Sequence, residues 1–181
     1  MKIKNILLIG LGSIAGKHLK IIRRIDKKIK VFKLKIKNKK KALAKIEEIL
    51  KKFRVNSAVI CSPADTHLHY INFFKKKKIN YLVEKPIIKD SQLKFIIKNF
   101  DYQNNLTEMV GYQLRYNNIL LRIKKIMSLK SLGKVYRAKI FVHSYLPNWR
   151  KKKLNKSISL SKKSGGGGLL ELSHEIDNIL W

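Results

Sequence analysis

Apolar positions along this chain alternate between short continuous runs and stripes at helical spacing. Ile3–Ile9 is a compact apolar run that ends at Gly10, the pattern of a strand buried on both faces of a parallel sheet. After Gly16, Leu19, Ile22 and Ile25 recur on one helical face with lysine and arginine opposite. Ile29–Ile36, with interleaved lysines, predicts a second strand. Leu43, Ile46, Leu50 and Phe53 predict a second amphipathic helix. Ser57–Cys61 reads as the next buried strand, stopped by Pro63. Leu68, Ile71 and Phe74 then mark a third helix, and Tyr81–Val83 a strand ending at Glu84-Lys85-Pro86. Leu93, Ile96 and Ile97 repeat the helical stripe, and Glu108–Gly111 closes another short strand. This alternation predicts an α/β fold built on a doubly wound parallel sheet over residues 1–116.

The pattern changes near Asn117. Ile119, Ile123, Ile126 and Met127 predict a longer helix leading to Gly133. Tyr136, Ala138, Ile140 and Val142 then alternate with Arg137, Lys139 and His143, the period of a half-exposed strand in a different, antiparallel type of sheet. Leu146–Ser164 is a polar, basic loop that runs into four glycines, Gly165–Gly168. The last residues, Ile179-Leu180-Trp181, are bulky and apolar, so residues 117–181 are expected to form the start of a second, incomplete α/β domain.

Composition narrows the class. With 181 residues the chain holds one full domain and part of another, and 45% hydrophobic residues supply a core, which excludes disorder throughout. The lone Cys61 excludes an intramolecular disulfide and suits a reducing cytoplasm. No apolar run approaches a membrane span. Met1–Gly16 has the early lysines and apolar stretch of a signal peptide, but Gly10 and Gly12 interrupt that stretch and a basic helical segment follows. The formal net charge of +31 raises the question of a nucleic-acid or anionic-surface partner. The lysines, however, spread through nearly every segment, and aromatics are not interleaved with them in a stacking pattern. The charge is therefore read as a lysine-, isoleucine- and asparagine-rich bias over an ordinary fold. Weak binding to polyanions is expected, without a specific nucleic acid.

Chemistry concentrates in a few places. Gly10-Leu11-Gly12-Ser13-Ile14-Ala15 fits G-x-G-x-x-G/A between a strand and a helix. Gly10 permits the tight turn, Gly12 lets backbone approach a pyrophosphate, and Ala15 allows close helix–strand packing, while the helix start turns N–H groups of Ser13 and Ile14 toward phosphates. The second strand ends in Lys33, Lys35, Lys37 and Asn38 without a carboxylate, a composition that leans to the 2′-phosphate of NADP over the ribose diol of NAD and is equally a set of solvated lysines.

Glu84-Lys85-Pro86 stands at the carboxyl end of a buried strand, where open α/β sheets bind ligands. A partly desolvated lysine there can hydrogen-bond a substrate oxygen, although the tripeptide alone reads as a surface ion pair before a turn proline. After the glycines, Glu171, His174 and Asp177 lie three apart, so one helix would carry them as a stripe. A histidine flanked by carboxylates suits general base work, although a solvated helix face accounts for the same residues, and no third ligand at metal spacing accompanies it.

Five segments in order, Gly10–His18 (GLGSIAGKH), Ser62–His67 (SPADTH), Glu84–Pro86 (EKP), Gly111–Asn117 (GYQLRYN) and Gly166–Asp177 (GGGLLELSHEID), together resemble the successive signatures of the Gfo/Idh/MocA oxidoreductases, named for glucose–fructose oxidoreductase and inositol dehydrogenase. The resemblance runs from Lys2 to Trp181. It implies a Rossmann domain followed by an α/β domain whose open sheet faces the nicotinamide of NAD or NADP. By similarity, Lys85 would be the catalytic lysine before a cis proline, and His174 the acid/base that takes the hydroxyl proton as hydride moves. Glu171 would be a third catalytic group, standing where many relatives have aspartate. Ser62, Pro63, His67 and Glu84 would border the cofactor.

Ser144–Arg150 (SYLPNWR) resembles members associated with surface-polysaccharide sugars, which implies a sugar or nucleotide-sugar substrate met by Arg115, Tyr145, Trp149, Arg150 and Asp177. No metal is implied, and a homo-oligomer would form through a complete second domain. Because relatives continue well past Trp181, the expected function is an NAD(P)-dependent sugar oxidoreductase or its N-terminal portion. An inactive dinucleotide-binding remnant and a basic nucleic-acid-binding protein are the alternatives.

Overall fold

The computed structural model describes residues 4–36, 39–94, 105–129, 132–143, 145 and 166–181. Five strands, β1 (Asn5–Ile9), β2 (Lys30–Leu34), β3 (Ser57–Ile60), β4 (Asn80–Val83) and β5 (Glu108–Val110), form one sheet in the order β2-β1-β3-β4-β5. Every pair is parallel, with Ile9 opposite Leu34 and Ile60, and Val83 opposite Ile60 and Val110. Among the described residues three long helices link β1 through β4: α1 (Ser13–Ile25), α2 (Lys39–Lys52) and α3 (Ala64–Lys76).

The chain leaves β1 toward β2, then crosses back over β1 to reach β3. Right-handed crossovers stepping in opposite directions put their helices on opposite faces. The core follows that rule. Ile6, Leu8, Val59 and Cys61 pack under Ala15 and Ile22 of α1. Leu7, Ile9, Ala58, Ile60 and Val83 pack under Ile46 of α2 and Tyr70, Ile71 and Phe74 of α3. The apolar runs read as doubly buried strands are thus buried on both faces, and each large side chain so enclosed stabilises the fold by about 1.5–3 kcal/mol.

Details differ from the expectation. The first helix begins at Ser13 and the second strand spans Lys30–Leu34, because the turn at Gly10 and the end of the ladder set those limits. Ile25 stands 74% exposed, being the last residue of α1 beyond the sheet. On α3 the buried face runs through Ala64, His67, Tyr70, Ile71 and Phe74, and Leu68 lies at its margin. Ile96 and Ile97 lie outside the described residues.

Beyond the sheet, a 3-10 turn (Gln113–Tyr116) leads into α4 (Asn118–Ser128), capped by Asn117, whose side chain accepts from the N–H groups of Ile119 and Leu120. The helix is where the stripe placed it, but none of its residues is buried, and Ile119, Ile123 and Met127 face outward. Residues 134–143 form no strand. Their period of two was the right pattern for one, yet among the described residues no neighbour completes a ladder, and backbone without a ladder is not a strand. Two short helices follow the glycines, α5 (Gly168–Glu171) and α6 (Ser173–Leu180). Among the described residues no helix is long and apolar enough to cross a membrane.

Candidate functional site

The strand order reverses between β1 and β3, and in open α/β sheets ligands lie outside the carboxyl ends of the strands at that point. Two loops border this crevice. The first leaves β1 through Gly10, whose φ of +86° falls in the left-handed region. A Cβ on Gly10 would lie 2.6 Å from the Cys61 carbonyl oxygen, so only glycine lets the first loop pass the second. Gly12 then begins α1 without a side-chain cap, and a Cβ there would meet nothing within 4 Å. Gly12 and Ser13 are exposed and Ala15 is buried against the sheet, so the first-turn N–H groups border open space. That open, uncapped helix start fits a pyrophosphate, with the positive helix end toward it.

The second loop follows β3. Cys61 extends the ladder by donating its N–H to the Ile9 carbonyl at 2.7 Å, and burial, then the Glu84 charge, pushes its thiol up to about 12, which keeps it protonated near neutral pH. The Thr66 hydroxyl lies 2.6 Å from Ser62 Oγ and 2.7 Å from the Pro63 carbonyl oxygen, which fixes the loop from inside. His67 is 1% exposed, with Nδ1 2.9 Å from the Pro86 carbonyl oxygen and Nε2 2.7 Å from that of Ser62. Burial pushes this imidazole below its ordinary range, while the carbonyls pull the other way. His67 is therefore a buried brace between the loop after β3 and the loop after β4. The two loops enclose it.

At the end of β4, Glu84 accepts from His18 of α1 at 2.6 Å. Gly111 sits so close that a Cβ on it would be 3.2 Å from the Glu84 carboxylate. Glu84 thus ties the cofactor-side helix to the segment that presents Lys85, which is half-buried and precedes a cis proline. His174, on α6, lies against Tyr112 in an edge-on ring contact at 5.7 Å. Its Nδ1 is buried and finds no hydrogen-bond partner among the described residues. Burial, and next the positive charge of Lys85, hold His174 below the usual histidine range. The two residues read as the catalytic pair arrive from distant parts of the chain, Lys85 at the end of β4 and His174 on α6.

Other sequence readings change. Glu171, His174 and Asp177 do not share one helical stripe, because the helix breaks at Leu172 (φ −102°, ψ 28°) and leaves Glu171 in α5. Arg115 and Asp177, both read as substrate contacts, hold one another: Nε donates at 2.8 Å and Nη2 at 2.6 Å to the two carboxylate oxygens. Tyr145 is exposed and joins none of these contacts. Trp149 and Arg150 lie outside the described residues, as do Lys37 and Asn38. His18, Thr66 and Tyr112 were not singled out. Each falls inside one of the five signatures, His18 in the first, Thr66 in SPADTH and Tyr112 in GYQLRYN.

A groove of about 680 Å³ lies past the end of β2, between Leu11 of the glycine loop and α2. Lys33, Lys35, Lys41, Lys45 and Lys52 line it with one carboxylate, Glu48, which accepts from Lys52 at 2.8 Å. Among the described residues no cluster of three or more His, Cys, Asp or Glu is arranged to hold a metal ion.

Residues 4–112 match the family described as GFO_IDH_MocA, "Oxidoreductase family, NAD-binding Rossmann fold". No curated protein matches the chain. Among solved structures, an NAD-binding protein from Listeria innocua is 19% identical with a TM-score of 0.64, over 99% of this chain and 53% of that one. The WlbA dehydrogenase from Bordetella pertussis, in complex with NADH and UDP-GlcNAcA, is 19% identical with a TM-score of 0.56, over 75% of this chain and 45% of that one. Myo-inositol 2-dehydrogenase from Lactobacillus plantarum is also 19% identical with a TM-score of 0.56, over 74% of this chain and 43% of that one. The chain thus spans about half the length of the structures it matches.

Proposed function

Because the chain belongs to the Gfo/Idh/MocA oxidoreductase family, as its match over residues 4–112 shows, we propose that it binds a nicotinamide dinucleotide in the β1–β3 crevice and supports hydride exchange with a sugar or nucleotide-sugar hydroxyl. The observation that carries this reading is the glycine turn after β1, where Gly10 at φ +86° passes the Cys61 carbonyl and the uncapped start of α1 borders open space.

Gly10, Gly12, Ser13, Ile14 and Ala15 would hold the pyrophosphate, with Ser62, Pro63 and Glu84 along the adjoining wall. A nicotinamide bound there supplies the hydride acceptor or donor. The Lys85 ammonium donates a hydrogen bond to the reacting oxygen and favours its negative charge. His174, kept neutral by burial and by Lys85, takes the hydroxyl proton on its imidazole and returns it in the reverse direction. Glu171 stands one turn before His174 in sequence and is assigned a supporting carboxylate role. Tyr145, Trp149 and Arg150 are assigned to the sugar. The substrate class rests on SYLPNWR and on the nucleotide-sugar complex of the Bordetella relative.

The lysine-lined groove past β2 favours NADP, since Lys33, Lys35 and Lys41 offer cations where a 2′-phosphate would lie. NADPH should bind more tightly than NADH, and raising salt should narrow that gap.

NADH and NADPH titrations by fluorescence, followed by turnover on a sugar and sugar-nucleotide panel, test the whole reading. His174→Asn and Lys85→Met should each lower turnover by about 10²–10⁴-fold with dinucleotide affinity within about twofold. Absence of dinucleotide binding overturns the cofactor assignment. Binding without any turnover leaves a dinucleotide-binding protein.

A further inference from the structure

We propose that the Arg115–Asp177 pair is a positioning clamp that holds α6 to the turn after β5 and so sets the His174 imidazole against the Tyr112 ring. This rests on the catalytic reading above. Arg115 projects from the 3-10 turn that directly follows β5, so its backbone is anchored by the sheet's own edge. Its guanidinium meets Asp177 with two parallel bonds, at 2.8 and 2.6 Å, and such a fork fixes orientation as well as distance. Asp177 is only 8% exposed, so its carboxylate is committed to this partner. His174 lies three residues before Asp177 and on the same helical face. Fixing Asp177 therefore fixes the direction of the imidazole.

Aromatic rings complete the arrangement. The Tyr112 ring touches His174 on one side and lies 5.8 Å under the Arg115 guanidinium on another. Trp181, at the far end of α6, stacks 5.9 Å from the same guanidinium and 3.8 Å from the Lys124 ammonium of α4. By contrast, Ile176, Ile179 and Leu180 of α6 are exposed, so apolar burial does little to hold this helix among the described residues. Polar contacts at Arg115 are what set its pose. A displacement of about 1 Å at a reacting group costs about a hundredfold in rate.

Asp177→Asn separates a clamp from a mere surface pair by the sign of one measurement. The groups facing His174 are Lys85 and Glu84 from the end of β4, Glu175 and Asp177 on its own helix, and the Tyr112 ring. Losing the negative charge at Asp177 by itself lowers the His174 titration. Release of α6, which exposes the imidazole and moves it from Lys85, raises it. We expect D177N to raise the titration followed by NMR of the histidine ring protons. Turnover should fall by about a hundredfold at unchanged KM for the dinucleotide. The exchanged pair R115D/D177R should recover to within about tenfold of the parent.

A fall in the His174 titration, or no change in it, overturns the clamp. R115K, which keeps the charge and loses the fork, gives the same readout if D177N does not fold. Because the titration needs no turnover, a protein that binds NADPH and turns nothing over refutes the catalytic reading while still deciding on the clamp.

Discussion

The two parts of this molecule are held together by different physics. From β1 to β5 the sheet and its helices enclose two apolar clusters, and the side chains of β1 and β3 are buried on both faces. From Asn118 onward, α4 buries nothing and residues 134–143 pair with nothing described. There α6 is tied back by an ion pair and ring contacts. The first part shapes the nucleotide crevice with backbone that its own core makes rigid. The second carries His174, the side chain proposed to handle the proton, on a helix tied back by those few contacts. Binding and turnover should therefore respond to different mutations.

The sharpest way to break the comparison is to cut the core. Phe74, fully buried between α3 and the sheet, should cost about 3–5 kcal/mol when replaced by alanine, read as a lower urea midpoint with unchanged slope. Next in size is Gly10→Ala. Left-handed backbone and the close Cys61 carbonyl should together cost about 2–4 kcal/mol, with dinucleotide binding lost in the same variant. A variant that kept its stability and bound NADPH would show that the loop crossing is not what shapes the crevice.

Acid gives a smaller effect. His67 and His174 both titrate below 6.5 in the fold, so between those lowered values and 6.5 the unfolded chain binds more protons than the native one. Stability should be full above pH 6.5 and decline as pH falls beneath it, by at most about 1.4 kcal/mol per pH unit for each imidazole. In His67→Gln the slope of urea midpoint against pH should flatten, whatever the variant's absolute stability. The smallest effect belongs to the second part. Ile119→Ser on the exposed face of α4 should stay within about 0.5 kcal/mol of the parent. A larger loss would mean that this face is covered.

The sheet was readable because doubly buried strands leave uninterrupted apolar runs, and because Gly10 and Ala15 answer to constraints that only small residues meet. The buried face of α3 is harder to read. His67 and Tyr70 look polar by composition, yet the ring nitrogens of one face two backbone carbonyls and the other is enclosed by the core. The stripe of Glu171, His174 and Asp177 assumed one continuous helix, and a single residue, Leu172, leaves the helical basin. The ion pair between Arg115 and Asp177 spans 62 residues, and the one between His18 and Glu84 spans 66. Charges so far apart carry no periodicity to announce their pairing. Lysine excess masked the rest, since every segment offers cations and few of them are distinctive.

One feature at the rim of the sheet bears on how the protein behaves in a crowd. Among the described residues β2 has β1 on one side and no strand on the other, so it is an edge of the sheet. Lys30 and Lys33 stand along that margin, and Arg23 and Lys27 border the shallow groove beside it. A second molecule adding its own β2 there would bring ammonium groups face to face, a fence that dilute buffer keeps standing and concentrated salt takes down.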